Sequence, residues 1–253
     1  MTAAVAAAPS IRERTGADER ELAFADFHCH TRHSQDSRLS EERFVELAVE
    51  RGLTHVAVTD HDTIEGSVAV RRRAEELGVA DRLTVILGEE VSSADGEIVG
   101  LFIGETVPAG LSAEDTADAI RAQGGLISVP HPFDPFRRKH LGQEALERMA
   151  ATGRIDAVEV FNSRVTFPHH NQQAADFAAR HHIPGVAVSD SHTALEVAMS
   201  FNALPAFTSA DELRAALVRN EWHGSRTTKL VHLGTRLAVA SKWVGRRLDR
   251  SGE

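Results

Sequence analysis

The chain has 253 residues, 42% of them hydrophobic, and a formal net charge of −9, which is enough apolar material for one large core or two small ones. So acidic a balance excludes a general nucleic-acid-binding surface. The one cysteine, Cys29, excludes a disulfide framework and a thiolate zinc site, and it fits a reducing, cytoplasmic setting.

Residues 1–21 are Ala-rich without the basic n-region of a signal peptide and are expected to form a disordered leader. No apolar run approaches the ~20 residues that a membrane span needs. The pattern then predicts a strand over 23–27 and a helix over 40–51 with Ser40 as its N-cap. A strand over 53–59 and a helix over 67–77 stopped by Gly78 follow. Strands are expected over 83–87 and 97–103, then a helix over 112–123 opened by the capping box Ser112 and Asp115. Gly124 and Gly125 end that helix before a strand over 126–129. A helix over 141–152, a strand over 157–161, a helix over 170–180 and a strand over 185–189 continue the alternation. Ser209 and Glu212 form a second capping box before a helix reaching about residue 219. Residues 226–253 make a separate basic tail, with Leu230, Leu233, Leu237, Val244 and Leu248 near helical spacing beside Lys242, Arg246, Arg247 and Arg250. It is expected to be a C-terminal helix packed on the body of residues 22–225, the alternative being a contact for anionic lipid or nucleic acid.

Alternating strands and helices with short connections mean parallel strands and crossover helices. Around seven strands suit a barrel better than an open doubly wound sheet. No Gly-rich phosphate loop of the GxGxxG or GxxxxGK kind is present, which argues against a nucleotide-binding sheet.

Polar clusters recur at one structural phase, the ends of these strands. The first is Asp26-Phe27-His28-Cys29-His30-Thr31, followed by Ser34 and Asp36; His28 and His30 project to the same side of a strand. Thr59-Asp60-His61-Asp62 follows the next strand, where three polar residues at a buried end need a hydrogen bond or a ligand; a helix cap at Asp62 or Thr63 is compatible with either. Gly88-Glu89-Glu90, Pro130-His131-Pro132 and Ser189-Asp190-Ser191-His192 end three further strands. Each alone reads equally well as surface polarity or a turn. Five together, at the face where β/α barrels gather catalytic groups, point to a site. Imidazole and carboxylate without thiolate suit Mn, Fe or Zn.

DxHxHT with a following SxD, then TDHD, GxE, PHP and SDSH, resemble the polymerase and histidinol phosphatase (PHP) family, in order from Asp26 to about Arg219. The resemblance implies a distorted (β/α)7 barrel, two or three divalent metal ions, and cleavage of phosphate esters by metal-activated hydroxide. It implies that His28, His30, Glu90 and Asp190 hold a first ion, Glu90 and His131 a second, and Asp36, His61 and His192 a third. Where many relatives have a histidine at the start of the strand after the bridging glutamate, this chain has Glu97, which is expected to ligate in its place. Asp60 is expected to orient a ligand histidine. One of Arg137, Arg138 and Arg164 is expected to contact phosphate, and His33, His169 and His170 are candidate acids for the leaving group. The substrate is expected to be a small phosphorylated metabolite or nucleotide. The alternatives are a phosphodiesterase or exonuclease acting on short RNA or nucleoside 3′,5′-bisphosphates, and a non-catalytic metal-binding module.

Overall fold

The computed structural model describes Ile11 and residues 22–137 and 139–227. The expected leader (apart from Ile11), Arg138 and all but the start of the basic tail lie outside the described residues. Among the described residues, nine strands and six helices follow in order: β1 (Leu22–Cys29), α1 (Glu41–Glu50), β2 (His55–Val58), α2 (Glu65–Glu76), β3 (Thr84–Ser92), β4 (Glu97–Leu101), α3 (Ala113–Ala122), β5 (Leu126–Val129), α4 (Gln143–Ala151), β6 (Ala157–Asn162), α5 (Pro168–His181), β7 (Gly185–Val188), β8 (Ser200–Pro205), α6 (Ala210–Ala216) and β9 (Glu221–Gly224). The caps read from sequence are in place: Ser40, Ser112 and Ser209 accept hydrogen bonds from the N–H groups of Arg43, Asp115 and Glu212.

The strands form one sheet in the order β7-β6-β5-β4-β3-β2-β1-β8-β9. β1, β2 and β3 pair in parallel, as do β5, β6 and β7, but β4 is antiparallel to both its neighbours. The expectation of parallel strands throughout is therefore corrected at β4. Only residues 93–96 separate β3 from β4, and a parallel crossover needs a dozen residues or more. β3 also runs past its expected end at residue 87: residues 88–92 leave β2 and pair with β4, so Glu89 and Glu90 lie within a strand rather than after one. β8 and β9 were not foreseen; they extend the sheet antiparallel beyond β1.

The sheet curls until β7 meets β1, giving a nearly closed barrel. Cys29 bridges Ser191, with His30 N–H donating to the Ser191 carbonyl at 2.8 Å. Lower on the seam the Asn202 side chain donates to the Ala25 and Ala187 carbonyls and accepts from Ala187 N–H, completing ladder bonds that no strand supplies. Ala25, Phe27, Ile86, Val99, Leu126 and Val188 share an apolar cluster at the base, with Leu213 and Leu217 packed onto it. Helices α1 and α2 bury Phe44, Leu47, Val70 and Ala74 against the outer face of one half of the barrel, and α3, α4 and α5 bury Ile120, Leu146, Met149 and Phe177 against the outer face of the other half. The register of β1 shifts between Asp26 and Cys29. Phe27 thus belongs to the apolar base and Cys29 to the outer layer with Phe24, while His28 and His30 converge on the mouth. No helix among the described residues is long and apolar enough to cross a membrane.

Candidate metal centre

The polar ends of six strands meet at the mouth of the barrel. β1 brings His28 and His30, the residue after β2 is followed by Asp60 and His61, β3 brings Glu90, His131 follows β5 by two residues, and Asp190 and His192 follow β7. Glu97 opens β4, and because that strand runs the other way its first residue reaches the same mouth. Asp36 arrives from the β1–α1 loop. Three sets of ligand atoms each lie within 4.8 Å of one another: His28, His30 and Glu90; His61, Glu90 and Glu97; and His30, His61 and His192.

Pair distances tie the remaining residues to these sets. His131 Nε2 lies 3.3 Å from Glu90 Oε1 and 3.9 Å from Glu97. Asp190 Oδ1 lies 3.6 Å from His30 Nε2 and 3.9 Å from His28 Nε2. Asp36 lies 2.9 Å from His192 and 3.7 Å from His61. All nine residues expected from sequence are brought together. His61 departs from the expected grouping in being shared: it faces Asp36 through Nε2, and Glu90 and Glu97 through Nδ1.

The imidazoles are oriented by fixed partners. Asp60, fully buried, accepts from the N–H and hydroxyl of both Thr31 and Ser34 at 2.6–3.0 Å. With its proton on Asp60, the Ser34 hydroxyl accepts from His30 Nδ1 at 2.9 Å, which leaves the Nε2 lone pair of His30 for the cluster. Ser34 also accepts from His61 N–H. A Cβ at Gly66 would overlap the Asp60 carboxylate, so this glycine lets the start of α2 approach it closely. His28 Nδ1 faces Glu159 at 2.6 Å, and His192 Nδ1 donates to the Asp190 carbonyl at 2.8 Å. Glu159 also accepts from His131 N–H and from Asn162, whose amide reaches on to Asp190.

Glu159 and Asn162 were not among the expected site residues, although a carboxylate inside the apolar run Val158-Glu159-Val160 was the available signal. Two of the expected ligands hold left-handed backbone without being glycine, His131 at φ 28° and Asp190 at φ 52°; such conformations cost ~1–3 kcal/mol and persist where surroundings enforce them.

Charges in this mouth control one another. Burial would lower the His61 imidazole, but Glu90, Asp36 and Glu97 push it up to about 9. Burial and the neighbouring His192, His61 and His28 hold His30 well below the usual imidazole range. Burial works against the Asp36 and Asp190 carboxylates, yet His192 and Arg137 respectively hold them well below the ordinary range. Burial and Glu90 raise Glu97.

The donor set also fits metal ions by what it leaves unpaired. Glu90 Oε1, Asp190 Oδ1, Asp36 Oδ1, His61 Nδ1 and both ring nitrogens of His131 are buried with no hydrogen-bond partner, a costly state unless something else binds them.

The cationic candidates separate. The Arg137 guanidinium is bonded to Asp190 within the mouth. Arg164 is buried and faces Glu196 at 3.1 Å. His33 pairs with Glu41, and His170 lies 3.6 Å from Asp134; His33, His169 and His170 belong to none of the three ligand sets.

Known proteins resemble the chain in sequence and fold. An uncharacterized protein of Methanocaldococcus jannaschii is 38% identical over 149 residues, 55% of this chain and 81% of that protein. An error-prone DNA polymerase of Cutibacterium acnes is 29% identical over 234 residues, 75% of this chain but 20% of the polymerase. A phosphoribosyl 1,2-cyclic phosphate 1,2-diphosphodiesterase of Eggerthella lenta is 39% identical over 90 residues, about a third of each chain. A two-domain Bacteroides vulgatus protein, described as containing a predicted PHP-like metal-dependent phosphoesterase, superposes with a TM-score of 0.67 at 19% identity, over 81% of this chain and 65% of that one. The PHP domain model matches residues 26–162 and a PHP-associated model matches residues 168–221; with more than half of its length matched, the chain belongs to the PHP domain family.

Proposed function

We propose that this chain is a metal-dependent phosphoesterase, acting on a small phosphorylated metabolite or nucleotide. The observation that carries the reading is the convergence of nine imidazole and carboxylate groups on one mouth, where five of them, Asp36, His61, Glu90, His131 and Asp190, keep buried polar atoms without a hydrogen-bond partner, with Arg137 bonded among them. His28, His30, Asp36, His61, Glu90, Glu97, His131, Asp190 and His192 would hold two or three divalent ions of Mn, Fe or Zn. Such ions supply charge stabilisation for phosphoryl transfer and a water nucleophile made acidic enough to act near neutral pH.

The chain's own residues do the rest. Asp60 through Ser34, and Glu159 directly, keep the Nε2 lone pairs of His30 and His28 pointed inward. Arg137 presents a guanidinium fork, the geometry that matches phosphate oxygens. It is bonded to Asp190, one of the nine converging groups, and is proposed as the phosphate contact. Asn162, bonded to both Glu159 on its own strand β6 and Asp190 after β7, ties the Glu159 carboxylate to the segment that carries Asp190. The match to a cyclic phosphate diphosphodiesterase supports phosphate-ester chemistry.

The test is turnover of a panel of phosphate mono- and diesters, including nucleoside 3′,5′-bisphosphates, by protein reconstituted with Mn²⁺, Fe²⁺ or Zn²⁺. At least one member is expected to be hydrolysed, and His61→Ala is expected to abolish turnover with the fold retained. Release of neither phosphate nor alcohol from any member would overturn the reading. That result would favour a second one, a metal-binding module without chemistry, which the match to an error-prone polymerase supports.

A further inference from the structure

Two exposed rings stand together on the loops that follow β5 and β6. Phe136 and Phe167 are 62% and 42% exposed, and their centroids lie 5.6 Å apart. His169, also exposed, stacks on Phe167 at 5.8 Å with 23° between the ring planes. Isolated exposed apolar residues need no explanation. Among the described residues, however, these are the only two exposed large hydrophobic rings in mutual contact.

The pair is held in place by a group that belongs to none of the ligand sets. Asp134 is buried, and its Oδ1 accepts from Phe136 N–H at 3.1 Å while its Oδ2 accepts from Thr166 N–H at 2.9 Å. One carboxylate thus fixes both ring-bearing loops, the one after β5 and the one after β6. The first of these loops starts at the ligand His131, whose carbonyl accepts from Asp134 N–H at 3.2 Å; the Asp134 carbonyl then accepts from Arg137 N–H at 3.0 Å. Arg137 turns back to Asp190 while its neighbour Phe136 faces solvent. The loop that carries Phe136 thus runs between two residues that reach the mouth, His131 and Arg137.

We propose that Phe136, Phe167 and His169 form a stacking platform for a planar leaving group, and that the preferred ester is accordingly a nucleotide. Base–aromatic stacking is a strong, shape-tolerant contact because every base has a π-face. The loop that carries Phe136 stands one arginine side chain away from Asp190, so the platform is proposed to take a ring set back from phosphorus by a sugar rather than a ring esterified to it directly. The proposal deepens the phosphoesterase reading and rests on it for the chemistry, but the binding preference is separable from turnover.

The test is isothermal titration of Mn²⁺-loaded full-length protein with AMP, ribose 5-phosphate and phenyl phosphate. Stacking of one base corresponds to a preference of about 5- to 150-fold. AMP is expected to bind tighter than ribose 5-phosphate and phenyl phosphate by a factor in that range. In Phe136→Ala/Phe167→Ala the AMP affinity is expected to fall to that of ribose 5-phosphate, with ribose 5-phosphate unchanged. Phe136→Trp is expected to retain the preference. Thermal melts establish that each variant is folded. Equal binding of AMP and ribose 5-phosphate, an AMP preference untouched by the double variant, or phenyl phosphate binding as well as AMP would each overturn the platform. So would a wild-type dimer that the double variant dissolves without changing AMP affinity, since the rings would then serve self-association. Turnover of the same compounds separates the two claims. Ring-dependent AMP binding without hydrolysis removes the phosphoesterase reading and keeps the platform, whereas hydrolysis without ring-dependent binding does the reverse.

Discussion

Replacing Glu159 with Gln changes one atom in a buried carboxylate and tests how the metal centre is organised. Glu159 Oε1 lies 2.6 Å from His28 Nδ1, and Oε2 accepts from His131 N–H at 3.0 Å and from the Asn162 amide at 2.9 Å. A carboxylate accepts on both oxygens, but an amide accepts on only one. If the Gln oxygen turns toward His131 and Asn162, its NH₂ meets His28 and favours the tautomer protonated on Nε2, which blocks the inward lone pair. If the oxygen turns toward His28, the NH₂ meets two donors. Either arrangement forfeits a charged, buried hydrogen bond worth ~1.5–3 kcal/mol, which is about 10- to 150-fold in an equilibrium constant and agrees with the 10- to 100-fold effect typical of partners that orient metal-binding histidines. Glu159→Gln should therefore bind Mn²⁺ or Zn²⁺ about 10- to 100-fold more weakly in competition with a chromogenic chelator, while its far-ultraviolet spectrum stays unchanged. Metal affinity within twofold of wild type would refute the argument that Glu159 sets the His28 lone pair.

Three other expectations follow from the same geometry. Asp60→Asn leaves at least one of four buried donors facing an amide NH₂, so it should destabilise the protein by ~1–3 kcal/mol in urea titration and also weaken metal binding through His30; a stability loss with metal affinity intact would disconnect Asp60 from His30. Gly66→Ala places a methyl group on that carboxylate and should cost ~1–3 kcal/mol by overpacking, a figure that a variant within 0.5 kcal/mol of wild type would contradict. Burial holds the His55 imidazole below its usual value, only partly offset by the Phe207 carbonyl. A group whose folded pKa is depressed in this way binds more protons unfolded, so its contribution is full at high pH and is lost as pH falls through the unfolded value near 6.5. Melting temperature should thus fall more steeply between pH 7.5 and 5.5 in wild type than in His55→Gln; parallel curves would show that His55 does not carry the effect.

Most of the centre was legible because its residues break the apolar pattern at strand ends, where a buried polar group must be bound by something. That logic located His28, His30, His61, His131, Asp190 and His192 and placed Glu97 at the start of its strand. It did not find Glu159 or Asn162, which act by supporting other side chains rather than by forming a motif. Nor did it find Asp134, whose two backbone partners lie 2 and 32 residues away. Helix starts were clear from Ser40, Ser112 and Ser209, since a cap is a local interaction. The reversal at β4 escaped because local alternation does not report strand direction; only the short connection over 93–96 carried that information. β8 escaped for a related reason: Ser200–Pro205 mixes Asn202 and Pro205 into its run, and its strand identity comes from pairing with Leu22–Ala25, far away in sequence.

The most direct test is anomalous diffraction from crystals of the chain grown with Mn²⁺. Peaks are predicted among His28, His30 and Glu90, among His61, Glu90 and Glu97, or beside His192 and Asp36, with at least two occupied together. Crystals that diffract well and carry no anomalous peak within bonding distance of these side chains would contradict the account.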